Sequence, residues 1–445
     1  MARKRIVVSF AWLAVAIVGG AIFYHLRHQP FYYDARGYVD AAQGIREQGL
    51  LSEWPGSVLR SYGYPVALTV PLMAADALRI APLAAIFIFQ WTLFAGSAWL
   101  AATTLFDARR TQLIAFVAVA GNPLLVVYTA QALTEALTLP CILFSVAALG
   151  RGVRMSSHPA RAAWLAAGAV TASYALAVRP GNLLVPICYL VAAIVALFWR
   201  RNQRAWLALS ASAVVVLVGL AAPLAPQMMV NWHNYEIVSP LPATDISAGQ
   251  SVGGIRNIRY ATNVSTCGTP VVLFVNPLAG PTSMDMPRSE VIKFYALNWP
   301  DGPETAAMHI FSGLDPRPYL TYQVSYGVWY ERILQGLSLA VLCLAGFGLV
   351  RAPWSRRRIR PDLIFLGTTT SASVAILAVS QVELRFGVVL VTALSILAAG
   401  GAARLRKPTL QVGVAIGVAY AIALLTWFVV SDLILATSAQ WQGCS

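Results

Sequence analysis

Eleven stretches of roughly 17 to 25 apolar residues, the length at which a helix crosses a bilayer, run through this chain and leave it few ways to fold. They cover about 7 to 26, 83 to 105, 112 to 129, 134 to 150, 160 to 178, 182 to 198, 205 to 224, 327 to 350, 362 to 380, 386 to 402 and 409 to 433. Composition agrees: 58% of the 445 residues are hydrophobic, 11% are charged and the mean hydropathy is +0.65. That is too apolar for a soluble domain of this length. The expected fold class is an all-α polytopic membrane protein with about 11 transmembrane helices.

Orientation follows from arginine and lysine. They gather in six clusters, at Arg3 to Arg5, Arg109 with Arg110, Arg151 to Arg161, Arg200 to Arg204, Arg351 to Arg360 and Arg404 to Lys407, which hold 19 of the 32 basic residues. Short basic loops stay cytoplasmic, so all six are placed inside, with the N-terminus. The formal net charge of +14 is therefore a topological signal and not a nucleic-acid footprint. The first span begins after Met-Ala-Arg-Lys-Arg. It reads as an uncleaved anchor rather than a signal peptide, because its apolar region is long and no clear cleavage site follows.

The stretch Tyr62 to Leu78 is apolar, yet it contains Pro65 and Pro71 and is followed by Arg79. Were it to cross, five later basic clusters would be exported against the positive-inside rule. It is expected to be an interfacial or re-entrant helix on the outer side. The resulting domain map has an anchor at 1–26, a first extracytoplasmic loop at 27–82 and helices 2 to 7 at 83–224. A large extracytoplasmic loop of about a hundred residues follows at 225–326, then helices 8 to 11 at 327–433 and a short outer tail at 434–445.

The first outer loop reads Phe31-Tyr32-Tyr33-Asp34-Ala35-Arg36-Gly37-Tyr38-Val39-Asp40. A carboxylate held just above the membrane among tyrosines suits a general base acting on a lipid-borne substrate. Solvated loop acids beside an aromatic belt have the same pattern. Asp40 is the rival base, while Glu47 and Glu53 read as solvated. Further along come Arg60-Ser61-Tyr62-Gly63-Tyr64-Pro65, then Glu135, Arg179-Pro180-Gly181 and Glu383-Leu384-Arg385-Phe386. Each lies in a turn short enough to hold its charge at the membrane boundary, where ionisable groups pair, snorkel or serve a site. Guanidinium groups there suit a phosphate-bearing substrate, since each donates two parallel hydrogen bonds. A base plus phosphate-binding arginines describes displacement of a lipid phosphate from a sugar by an acceptor hydroxyl.

In order along the chain, Asp34-x-x-x-Tyr38, Arg60-x-x-Gly63-Tyr64-Pro65, Pro123 to Glu135, Arg179-Pro180, Asn231 and Glu383-x-Arg385-Phe386 resemble the motifs of the GT-C superfamily of membrane glycosyltransferases. These include polyprenyl-phosphate-dependent mannosyl- and aminoarabinosyltransferase-like proteins. The resemblance implies an inverting transfer from a polyprenyl-phosphate sugar donor at the extracytoplasmic face, with Asp34 as general base. Arg60, Arg179 and Arg385 are then the candidates for binding donor phosphate. Tyr38, Asp40, Tyr62, Tyr64, Glu135, Asn231 and Glu383 are the supporting or substrate-binding candidates. Only about a dozen residues follow the last span, so the 225–326 loop is expected to supply most recognition of a glycan, lipid or protein acceptor.

Other chemistries lack their residues. The five histidines show no H-E-x-x-H or paired spacing, although His233 and His309 share the large loop. No cofactor is expected to be required. There is no Walker A motif, Rossmann glycine fingerprint or G-x-S-x-G. Cys267 and Cys444 are expected to face the outer compartment, as a disulfide or as two free thiols. A transporter or lipid flippase is the competing reading, as is a noncatalytic membrane subunit. Transporters usually carry polar sites near the midplane on broken helices, and here the candidates sit at helix ends. Three lysines against 29 arginines, with abundant alanine, suggest a bacterium with GC-rich DNA and an inner-membrane location.

Overall fold

The computed structural model describes all residues except 1, 28–30, 32, 54–56, 199–205, 245, 263–270, 277, 279–285, 318–327, 351–359, 381, 383, 406–409 and 442–445. Its contacts divide the chain into two compact units, one of residues 1–245 with 353–369, the other of 246–352 with 370–445.

The first unit is built of helices and their connecting turns, with no strand among its described residues. It contains α1 (Ala2–Leu26), α2 (Tyr33–Gln48), α3 (Gly63–Leu78), α4 (Pro82–Leu105), α5 (Arg109–Ala120) and α6 (Pro123–Thr129). It continues with α7 (Glu135–Arg154), α8 (His158–Val178), α9 (Leu184–Phe198), α10 (Trp206–Ala221) and α11 (Ala225–Tyr235). At its centre α7 packs against α4 and α8, and most of its residues are buried inside the protein. Glu135, at the first turn of α7, is brought into this core.

The chain is an integral membrane protein: among the described residues ten helices are long and apolar enough to cross a bilayer, and eleven when one bent pair is counted as a single span. The bent pair corrects one detail. The run at 112 to 129, expected as a single span, is broken between α5 and α6 with a bend of 58°. Pro123 starts α6, and the side chain of Asn122 accepts a hydrogen bond from the Leu124 amide. That is a helix start in the middle of an apolar stretch. The span expected to end at 224 instead continues through Ala225 to Tyr235.

Helix α3 has 16 residues, about 24 Å at 1.5 Å per residue and short of a bilayer core. Its first residue, Gly63, lies so close to α8 that a Cβ there would overlap the Ala177 carbonyl. Tyr174 of α8 donates to the Gly63 carbonyl at 2.8 Å. The N-terminus of α3 is thereby fixed on α8.

The second unit contains α12 (Ile246–Arg256), β1 (Asn257–Thr262), β2 (Val271–Val275), α13 (Arg288–Leu297), α14 (Asp301–Ser312) and α15 (Val328–Val350). Then follow α16 (Pro361–Val379), whose first part belongs to the first unit, α17 (Val388–Arg404), α18 (Leu410–Ser438) and β3 (Ala439–Trp441). The three strands form an antiparallel sheet in the order β1-β2-β3, a small exception to the helical fold. His309 of α14 is buried, with its ring nitrogens 3.0 Å and 3.3 Å from the carbonyls of Ala378 and Asn257. Burial lowers its pKa, and the carbonyls of Ala378, Asn257 and Gly254 oppose that shift.

Asp315, itself buried, accepts from Gln335 at 2.8 Å, Ser431 at 2.6 Å and the Trp427 indole at 3.2 Å. Its backbone carbonyl accepts from Arg259 at 2.9 Å. Beside it Arg317 engages Glu331 and Asp432, and Arg332 engages Asp432. This network ties the chain after α14 to α15 and α18. Buried charges persist where each has a partner.

Candidate active site

Asp34 sits in the first turn of α2, and Arg60 reaches back across 26 residues to place Nη2 2.8 Å from its Oδ1. The pair is about one quarter exposed, with side-chain values of 28% for Asp34 and 26% for Arg60. Gly37, one turn into α2, leaves room for this: a Cβ there would stand 3.0 Å from the Arg60 Nη1. The guanidinium lies 5.4 Å from the centroid of the Tyr38 ring, within cation–π range. Tyr38 in turn meets Tyr64 edge to face at 5.0 Å.

Tyr64 is fully buried, and its hydroxyl donates to Gln90 Oε1 at 2.8 Å. Burial first, and then the nearby Tyr38, Glu135 and Tyr174, hold its phenol well above the usual range. It remains a hydrogen-bond donor throughout the physiological range. Glu135 Oε1 accepts from Arg179 Nη1, and its Oε2 accepts a 3.3 Å hydrogen bond from Thr134 Oγ1. Both pairs belong to the first unit.

The other expected residues divide. Asp40 is exposed and pairs with Arg36 at 3.6 Å on its own helix. Tyr62 is fully buried against Ala41 and Val230, with its hydroxyl on the Ser52 carbonyl at 2.8 Å. Its backbone amide donates to Gln227 Oε1 at 2.8 Å, and Gln227 donates to Asn231 at 2.9 Å. Asn231 is buried and holds the Ser239 and Leu241 carbonyls at 2.8 Å and 2.6 Å. Tyr62 and Asn231 are thus parts of the support beneath the loop that carries Arg60.

Arg385 belongs to the second unit, in a short turn over Leu384–Gly387. It is buried, its guanidinium 5.6 Å from the Phe386 ring centroid. Glu383, Cys267 and Cys444 lie outside the described residues. His233 is exposed on α11. Among the described residues no three His, Cys, Asp or Glu side chains gather as a metal site.

Gln90, Tyr174 and Gln227 were not among the sequence candidates. Gln90 had a signal in the sequence, as a polar residue within an apolar span, where polar groups seldom sit without a partner. The other two are recognised only through folded contacts.

The fold is that of a polytopic helical membrane protein, with paired arginines and carboxylates in its first unit. The structure resembles that of ArnT from Cupriavidus metallidurans. Against ArnT in the apo state the TM-score is 0.52 with 15% identity, over 90% of this chain and 60% of that one. Against ArnT bound to undecaprenyl phosphate it is 0.50 with 17% identity, over 89% and 61%. The chain therefore spans about three fifths of the length of the ArnT chains it matches, and at this identity the likeness is one of fold. No family profile and no curated protein matches the sequence.

Proposed function

We propose that this protein is a membrane glycosyltransferase that moves a sugar from a polyprenyl-phosphate donor to an acceptor hydroxyl at the extracytoplasmic face of a bacterial inner membrane, with inversion. The observation that carries this reading is Arg60 seated on Asp34 at 2.8 Å. It puts a carboxylate and a guanidinium, a group suited to binding phosphate, side by side at the first turn of α2. The fold likeness to an ArnT structure holding undecaprenyl phosphate supports a polyprenyl phosphate as the donor lipid.

In the reaction Asp34 takes the proton of the acceptor hydroxyl as its oxygen bonds to the anomeric carbon. The bond from that carbon to the phosphate oxygen breaks on the opposite face, and the phosphate leaves with the electron pair. On donor binding Arg60 exchanges Asp34 for the phosphate oxygens on that opposite face, which frees the carboxylate as base and sets two parallel donors where negative charge gathers. Arg179, held by Glu135, and Arg385 are the further phosphate candidates. No cofactor is required for this chemistry.

The test is release of undecaprenyl phosphate from undecaprenyl-phosphate-linked sugars by the purified protein in lipid nanodiscs. Asp34→Asn keeps the shape and removes the basicity, so turnover should fall by a factor on the order of 10² to 10⁴ while undecaprenyl phosphate still binds. Asp40→Asn should retain activity, because Asp40 is exposed and paired with Arg36. The opposite pattern would move the base to Asp40. Full activity in both, with labelled lipid crossing the membrane, would replace transfer by transport.

A further inference from the structure

Gln90 lies within α4 and is completely buried. Its side chain is used in full: Oε1 accepts from the Tyr64 hydroxyl at 2.8 Å, and Nε2 donates to the Thr129 carbonyl at 3.2 Å and the Gln131 carbonyl at 2.9 Å. Those two carbonyls mark the end of the broken span. Helix α6 stops at Thr129, and the chain runs to Glu135 through buried residues. In a membrane protein, carbonyls left over at a helix end must be met by other protein groups. A glutamine amide meets two of them and still offers an acceptor. The acceptor has one orientation, since a flipped amide would set its oxygen against both carbonyls.

From Gln90 the contacts lead back to the proposed catalytic pair. Tyr64 is held by its hydroxyl, its ring supports Tyr38 at 5.0 Å, the Tyr38 ring lies 5.4 Å from Arg60, and Arg60 reaches Asp34 at 2.8 Å. We propose that Gln90 is a positioning residue: it fixes Tyr64 against the end of α6 and, through Tyr38, sets the orientation of Arg60 beside Asp34. This rests on the reading of Arg60 as a phosphate ligand.

The experiment measures undecaprenyl phosphate binding to the full chain in nanodiscs by native mass spectrometry. It compares the unaltered protein with Arg60→Ala, Tyr64→Phe, Gln90→Leu and the double variant Arg60→Ala/Tyr64→Phe. Tyr64→Phe is the informative variant, because it keeps the two bonds from Gln90 to the carbonyls of Thr129 and Gln131 and breaks only the bond by which Gln90 holds the Tyr64 ring. Tyr64→Phe should weaken binding by about three- to tenfold, the scale of a lost buried hydrogen bond, and Gln90→Leu by at least as much. Once Arg60 is alanine, Tyr64→Phe should cost nothing further, a coupling that a merely structural role would not produce. Unchanged affinity in Tyr64→Phe, or a loss that adds in full to that of Arg60→Ala, overturns the positioning role. Unchanged affinity in Arg60→Ala itself removes the phosphate ligand, and the relay with it.

Discussion

Arg60 and Arg179 each rest on a carboxylate, but water reaches the two pairs differently. Asp34 keeps 28% of its side chain exposed, whereas Glu135 keeps 1%. Removing Arg179 therefore leaves a buried, uncompensated charge, which costs roughly 3 to 5 kcal/mol of stability. Removing Arg60 leaves an acid that water can still solvate. Arg60→Ala should thus lower transition-state stabilisation by roughly 2 to 4 kcal/mol, the scale of losing one preorganised donor, with little change in melting temperature. Arg179→Ala should lower activity and melting temperature together. Lysine at either position restores charge without the planar fork, so partial recovery is expected. Paired kinetic and thermal-shift measurements check this, and a fully active, normally stable Arg179→Ala protein would take that arginine out of the site.

At the scale of helices and strands, the close approach of α3 to α8 is the most sensitive joint near the candidate site. Gly63→Val places side-chain atoms where the Ala177 carbonyl now lies, and overpacking of this kind typically costs about 1 to 3 kcal/mol. The resulting shift of Tyr64 should reduce activity as well, so a Gly63→Val protein that melts and turns over normally would contradict the observed packing. Most elements here are legible in the sequence, because a run of about 20 apolar residues has few alternatives to a spanning helix. The break at Gly121-Asn122-Pro123 is less visible: its capping residues are present, but apolar residues on both sides mask them. The sheet is hidden for another reason. Strand β3 follows the last span and pairs with β2 more than 160 residues earlier, and no local pattern encodes such a pairing. Asp34, Arg60, Tyr38 and Tyr64 are legible because they sit in short motifs near one another. Gln90 shows in the sequence only as a polar residue within an apolar span, and its partners do not show, since the carbonyls it binds lie 39 and 41 residues away.

For the whole molecule, the proposed reaction requires that Asp34 and Arg60 face the extracytoplasmic side. The short length of α3 and the basic loops both favour this orientation. Leu59, Ile80 and Ala108 are exposed, so single cysteines at these positions in a cysteine-free background report sidedness. A membrane-impermeant maleimide should label positions 59 and 80 in intact cells, and position 108 only after permeabilisation. Labelling of 59 and 108 with protection of 80 would make α3 a crossing helix and reverse every later span.

The central claim is that donor phosphate binds beside Asp34, and an experimental structure of the full chain in nanodiscs with undecaprenyl phosphate tests it most directly. Phosphate density within hydrogen-bond distance of Arg60, with Arg179 as a second ligand, is the predicted result. Phosphate density remote from Arg60, Arg179 and Arg385 alike would contradict it.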